Sequence, residues 1–118
     1  MAKIVPISVV ETPEFLSAVE KLMSPDERAL LVDFLAYNPR SGDLMQGTGG
    51  LRKLRWRLEG RGKRGGARVI YFYYDADMPL FVLTAYAKNE AADLSQRDRA
   101  AFRQLTVRIV ETFRRTKQ

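Results

Sequence analysis

The sequence contains no cysteine and no histidine. The first absence excludes disulfides, thiolate nucleophiles and cysteine-based zinc or iron-sulfur sites. With both residue types missing, a metal site would have to be built from carboxylates alone. The 14 acidic residues are scattered, and the one close pair, Asp75 and Asp77, flanks an expected turn, where aspartate is a common turn former. No metal and no cofactor are therefore expected. Nor does any run approach the ~20 apolar residues of a membrane span. The first 15 residues lack the continuous apolar stretch and small-residue cleavage site of a signal peptide, so a cytoplasmic location is expected. With 118 residues, 46% hydrophobic and 29% charged, the chain has room for one core and not comfortably for two. A single domain over residues 1–118 is the expectation.

What the chain does have is positive charge gathered in one place. Residues 51–68, LRKLRWRLEGRGKRGGAR, hold eight of the 20 basic residues against one acid, Glu59, so this segment carries +7 where the whole chain carries +6. Clustered lysine and arginine favour a phosphate-rich partner, because opposing phosphates release counterions on contact. The alternation in residues 51–58 sharpens the point. As a strand it places Lys53, Arg55 and Arg57 on one face and Leu54, Trp56 and Leu58 on the other, one face for the core and one left basic. Arg52, of opposite parity to Arg55, reads as a structural or rim charge.

Around this strand the order of elements reads β-α-α-β-β-β-α. Residues 5–11 form a short edge strand, since Pro6 cannot donate to a central ladder. Thr12-Pro13 caps a first helix with Phe15, Leu16, Val19, Leu22 and Met23 at helical spacing. Ser24-Pro25-Asp26-Glu27 is a capping box opening a second helix that runs to Tyr37, buries Leu30, Leu31, Phe34 and Leu35, and stops at Asn38-Pro39. Glycines 60, 62 and 65 fit a G-x-G-x-x-G pattern, but a β-branched, aromatic strand over residues 67–74 follows instead of a helix, so the segment is a hairpin loop and not a dinucleotide site. Residues 80–88 form the third strand of the meander, and Ser95 caps a final helix whose stripe is Phe102, Leu105, Ile109 and Phe113. The fold class is α+β: a small, mostly antiparallel sheet with an αα-hairpin on one face and a C-terminal helix.

Pairing Leu58 with Ala67 and Tyr74 with Leu80 sets a trial register. It places Arg57 opposite Arg68 and Arg68 opposite Tyr86, with Arg55, Lys53 and Lys88 on the same face. The other face collects Leu54, Trp56, Leu58, Val69, Tyr71, Phe81, Leu83 and Ala85. Ile70, Phe72 and Val82 give the last helix a place to dock beyond the charged end of the basic face.

RNA cleavage is one chemistry that such a constellation can support. A ribose 2′-OH attacking its neighbouring phosphate needs a base, donors for the developing phosphorane charge and an acid for the leaving oxygen. Arginine is not deprotonated in proteins, so the base candidates are Lys53, Lys88, Lys63 and Tyr86. A lysine crowded by cations becomes easier to deprotonate, and Arg55, Arg57 and Arg68 are suited to stabilise the transition state.

At these residues the sequence resembles a known family. The runs QGTGGLRKLR (46–55), GKRGGARVIY (62–71) and LTAYAKNE (83–90), followed by Asp93-Leu94, look like the HigB branch of the RelE-type toxins, over about residues 8–112. The resemblance implies a ribosome-dependent mRNA interferase of a type II toxin-antitoxin module. Such a toxin cuts mRNA in the ribosomal A site without a metal and is inhibited by a cognate antitoxin, typically a helix-turn-helix protein. Carried over position by position, it puts catalytic weight on Lys53, Arg55, Arg68, Tyr86 and Lys88. RNA contact falls to Arg57, Arg61, Lys63, Arg64 and Asn89, with Arg61 and Arg64 steering the chain toward ribosomal RNA. The chain departs from some relatives in having Asn89 where they carry a basic residue, and in lacking their catalytic histidine. Two other classes stay open: a gyrase-poisoning toxin of a related branch, and a non-catalytic nucleic-acid-binding module.

Overall fold

The structure is a computed structural model that describes residues 5–58, 66–88 and 93–116. In chain order the elements are β1 (Val9–Glu11), α1 (Pro13–Val19), α2 (Pro25–Tyr37), β2 (Asp43–Leu44), β3 (Leu51–Trp56), β4 (Ala67–Phe72), β5 (Leu80–Ala87) and α3 (Gln96–Thr116). The strands form one sheet in the order β1-β5-β4-β3-β2. β1 runs parallel to β5, and every other pairing is antiparallel.

Local chemistry sets the helix starts. The Thr12 hydroxyl accepts from the Phe15 N–H at 3.2 Å and donates to the Val82 carbonyl at 2.8 Å, so one side chain caps α1 and pins it to β5. At α2 the capping box is complete, with the Glu27 N–H donating to Ser24 Oγ at 3.1 Å and the Ser24 N–H to Glu27 Oε1 at 2.9 Å. Asn38 ends that helix by donating back to Phe34 and Leu35. Ser95 Oγ accepts from the Asp98 N–H at 3.0 Å at the entrance to α3.

The sheet separates two cores. On one face Phe15, Val19, Leu22, Met23, Leu31 and Leu35 of the helical hairpin region pack against Leu54, Val69, Tyr71, Val82 and Ala85, with Trp56 at the margin against Phe34. On the other face α3 lays Phe102, Leu105, Ile109 and Phe113 over Leu51, Ile70, Phe72 and Leu83.

α1 ends at Val19, short of Leu22 and Met23, and Leu16 in its expected stripe is exposed; four further expectations need correction. β1 starts at Val9, leaving Pro6 outside the ladder. β2 was not anticipated; two residues give no periodicity to read, and Asp43 and Leu44 are strand only because they pair with Lys53 and Arg52. Leu30 lies 62% exposed on the outer side of α2, whose buried face is already filled by Leu31 and Leu35. The fourth concerns β5: Ile70 pairs with Thr84 but Tyr71 pairs with Val82, so Leu83 is the extra residue of a β-bulge. The bulge exchanges faces beyond it, so Phe81 and Leu83 join the α3 core and Val82 joins the helical-hairpin core, opposite to the trial register.

Candidate active site

β3 and β4 pair with Arg55 opposite Arg68, two residues away from the trial register that set Arg57 there. An even slip leaves each side chain on its expected face. Since Arg68 also pairs with Tyr86, the three form a row across β3, β4 and β5, where directly opposed side chains lie about 5 Å apart. Two residues along, Lys53, Ile70 and Thr84 form the next row, and there the sheet passes under α3.

The members of this face differ in environment. Arg55 is exposed, whereas Arg68 retains only 8% of its surface, and its guanidinium donates to the Ala67 carbonyl at 3.4 Å. Tyr86 is partly buried, and its hydroxyl has no hydrogen-bond partner among the described residues. Burial, reinforced by the Asp93 carboxylate, raises its pKa above the ordinary 10.0 against the opposing pull of Arg68 and Arg99. The phenol is thus held protonated at neutral pH. Asp93, just before α3, joins the face from the side. Its Oδ1 lies 3.3 Å from Lys53 Nζ and accepts the Leu94 N–H at 2.8 Å, while Oδ2 lies 3.3 Å from Arg99 Nη2. Burial alone would raise the Asp93 pKa, but the Leu94 N–H, Lys53 and Arg99 together leave it below the usual 3.8. Glu14, Thr84, Tyr86, Asp93, Ser95 and Asp98, among others, line a cleft of about 470 Å³ beside the row.

Arg52 lies outside this assembly. Its guanidinium donates to the carbonyls of Arg40 at 3.2 Å and Gly42 at 2.8 Å, fastening the loop before β2, as its parity suggested. No group of three or more acidic residues suited to holding a metal ion occurs among the described residues.

The row of Arg55, Arg68 and Tyr86 thus crosses three antiparallel strands beside a long C-terminal helix. The family model described as RelE toxin of the RelE / RelB toxin-antitoxin system matches residues 40–116. The chain belongs to the RelE toxin family. Two solved structures share the fold. One is a double arginine-to-alanine mutant of E. coli toxin RelE in the free state, with 15% identity, a TM-score of 0.53, and coverage of 74% of this chain and 88% of that one. The other comes from the toxin-antitoxin complex RelBE2 of Mycobacterium tuberculosis, with 24% identity, a TM-score of 0.51, and coverage of 79% and 100%.

Within this RelE fold, the structure brings together Lys53, Arg55, Arg68 and Tyr86 of the residues singled out in the sequence. Lys88 follows β5 directly, is exposed, and is tied by its N–H to the Gly66 carbonyl at 3.2 Å. Arg57 is exposed just beyond β3. Arg61, Lys63, Arg64 and Asn89 lie outside the described residues, as does the hairpin loop over 59–65. Sequence reasoning missed Arg99. Its signal was present in the arginine content of α3, where Arg97, Arg99, Arg103, Arg108, Arg114 and Arg115 stand against only Asp98 and Glu111. The positive charge of this RelE-family chain is therefore not confined to residues 51–68. As for the membrane, no helix among the described residues is long and apolar enough to cross one.

Proposed function

We propose that this RelE-family chain is the toxin of a type II toxin-antitoxin pair and an endoribonuclease that cuts mRNA in the ribosomal A site without a metal. The observation that carries the reading is the cross-strand row of Arg55, Arg68 and Tyr86. Two guanidiniums and one protonated phenol on neighbouring strands supply cations beside the phosphorane's equatorial oxygens and a proton donor for the leaving 5′ oxygen, and Lys88, among the base candidates, is left to take the proton of the attacking 2′-OH. Arg68 is the more desolvated of the two cations, and its charge acts more strongly for being screened less by water. Tyr86, with its raised pKa, serves as hydrogen-bond donor or acid rather than base. Lys53 extends the positive groove along β3. A cationic groove with no imidazole suits a nuclease that relies on the ribosome to hold its substrate in line.

The partner in this reading is a cognate helix-turn-helix antitoxin, in keeping with the toxin-antitoxin complex that provides one of the structural neighbours. Purified protein should cut message in programmed ribosomes and leave the same message intact when it is naked. Co-expression with the antitoxin should abolish toxicity and yield a stable complex. Rapid cutting of naked RNA would refute ribosome dependence. Toxicity that survives neutralisation of Arg55 and Arg68 would instead favour gyrase poisoning.

A further inference from the structure

Lys53 belongs to β3 and Arg99 to the first turns of α3, yet the two cations meet on the two oxygens of one carboxylate, each at 3.3 Å. All three side chains keep about a third or more of their surface in water, at 30% for Lys53, 34% for Arg99 and 45% for Asp93. Ion pairs this exposed contribute little to stability. They are not needed to seat α3, which is already docked through Phe102, Leu105, Ile109 and Phe113. What they do is hold two cations from different elements at the spacing of a bidentate anion, in a groove that otherwise favours phosphate.

We propose that Arg99 and Lys53 together bind an RNA phosphate adjoining the scissile one, and that Asp93 occupies this phosphate subsite in the free protein. The inference rests on the reading of the chain as an mRNA-cutting toxin. The subsite adjoins the chemistry because Lys53 precedes Arg55 by two residues on the same face of β3. That displacement is about 6.7 Å along a strand, comparable to one nucleotide step along an extended RNA chain. An arriving phosphate replaces the carboxylate on both cations. Asp93 retains the Leu94 N–H that its Oδ1 already accepts, so the released carboxylate stays partnered. The groove thereby keeps its two cations together without an RNA, at the cost of a competing anion.

The test uses ribosomes carrying an mRNA with a 2′-deoxynucleotide at the cleavage position, which binds but cannot be cut. Affinity is measured against salt for wild type, Arg99→Ala, Arg99→Lys and Asp93→Asn, and kcat and KM are measured on the cleavable message. Asparagine keeps the acceptor for the Leu94 N–H and removes only the charge. Arg99→Ala should raise KM about tenfold or more with kcat unchanged, as expected for one lost charge-assisted contact, and lower the salt slope by about 0.7. Arg99→Lys should recover part of the affinity. Asp93→Asn should bind roughly two- to fivefold tighter, the worth of an exposed ion pair no longer competing. The proposal is overturned if Arg99→Ala leaves affinity and slope unchanged, if it lowers kcat alone, or if Asp93→Asn binds more weakly. Should Arg99→Ala fail to fold, the Asp93→Asn result decides. A wild type that binds with the expected slope but cuts nothing refutes the nuclease reading and leaves this subsite standing; one that binds no RNA refutes both.

Discussion

Tyr71 and Tyr86 give the sheet two phenols whose hydroxyls have opposite fates, and removing each oxygen should have opposite consequences. Tyr71 is fully buried, and its hydroxyl accepts the Gly42 N–H and donates to the Pro39 carbonyl, both at 2.8 Å. Tyr71→Phe strands a donor and an acceptor in the interior, which costs about 1–3 kcal/mol. For a domain of this size each kcal/mol lowers Tm by about 4 °C, so a fall of about 4–12 °C is expected. Cleavage per folded molecule should persist, since Tyr71 belongs to the helical-hairpin core and not to the basic face. The Tyr86 hydroxyl has no partner among the described residues, so Tyr86→Phe removes a desolvated group that makes no bond to any of them. Its Tm should stay the same or rise, with a gain of up to about 2 kcal/mol. Ribosome-dependent cleavage should fall by about 10²-fold or more, the usual contribution of a positioned proton donor. Thermal melts and single-turnover cleavage of the two variants, run together, check both halves. A Tyr86→Phe protein that melts several degrees lower refutes the unpartnered hydroxyl, and one that cuts like wild type removes Tyr86 from the chemistry.

Arg55→Ala touches an exposed side chain on the basic face, so cleavage should drop on the order of 10²-fold while stability from urea unfolding changes by less than about 0.5 kcal/mol; a large loss of stability would contradict its placement. Gly66 has φ +54°, and a Cβ there would collide with the Trp56 carbonyl, so Gly66→Ala should destabilise by about 1–3 kcal/mol, and an unchanged midpoint would refute this placement of Gly66. Trp56→Ala removes the ring that packs on Phe34 at 5.4 Å and should cost about 3 kcal/mol, leaving the folded fraction able to cut; normal stability with lost cleavage would reverse its assigned face. Burial raises the pKa of both Tyr71 and Tyr86 above 10.0. Because the folded state holds these protons more tightly, their contribution to stability is intact below about pH 10 and declines as pH rises through the folded values. Melts from about pH 9 upward should show this loss in wild type and less of it in Tyr71→Phe.

Features of the fold that depend on a few neighbouring residues were legible in the sequence. Thr12-Pro13 and Ser24-Pro25-Asp26-Glu27 announce two helix starts because a cap is a local bargain between a side chain and the next turn. The faces of Lys53, Arg55 and Trp56 were legible for a different reason: the trial pairing of β3 with β4 was off by two residues, and an even slip preserves parity. Features that depend on a partner element were not. The bulge at Leu83 belongs to the pairing of β4 with β5, and nothing in LFVLTAYA marks where the alternation breaks. The sequence places Arg68 mid-strand on the basic face, and its burial there follows from what surrounds it in the fold. Arg99 was hidden among the arginines of a solvated helix until Asp93 and Lys53 were seen beside it.

The Leu83 bulge makes β5 a strand with two phases. On one side of it Phe81 and Leu83 face α3, and on the other Thr84 and Tyr86 take over that same face, one residue out of step. The single extra residue decouples the frame of the core from the frame of the basic row. Deleting Leu83 would leave a choice between turning Tyr86 into the helical-hairpin core and turning Phe81 out of the α3 core. Point substitution can tune the chemistry of Tyr86 or the packing of Phe81 separately, whereas a change of length at this place exchanges one for the other. In a lineage of such chains, β5 should therefore tolerate variation in residue type far more readily than variation in residue number.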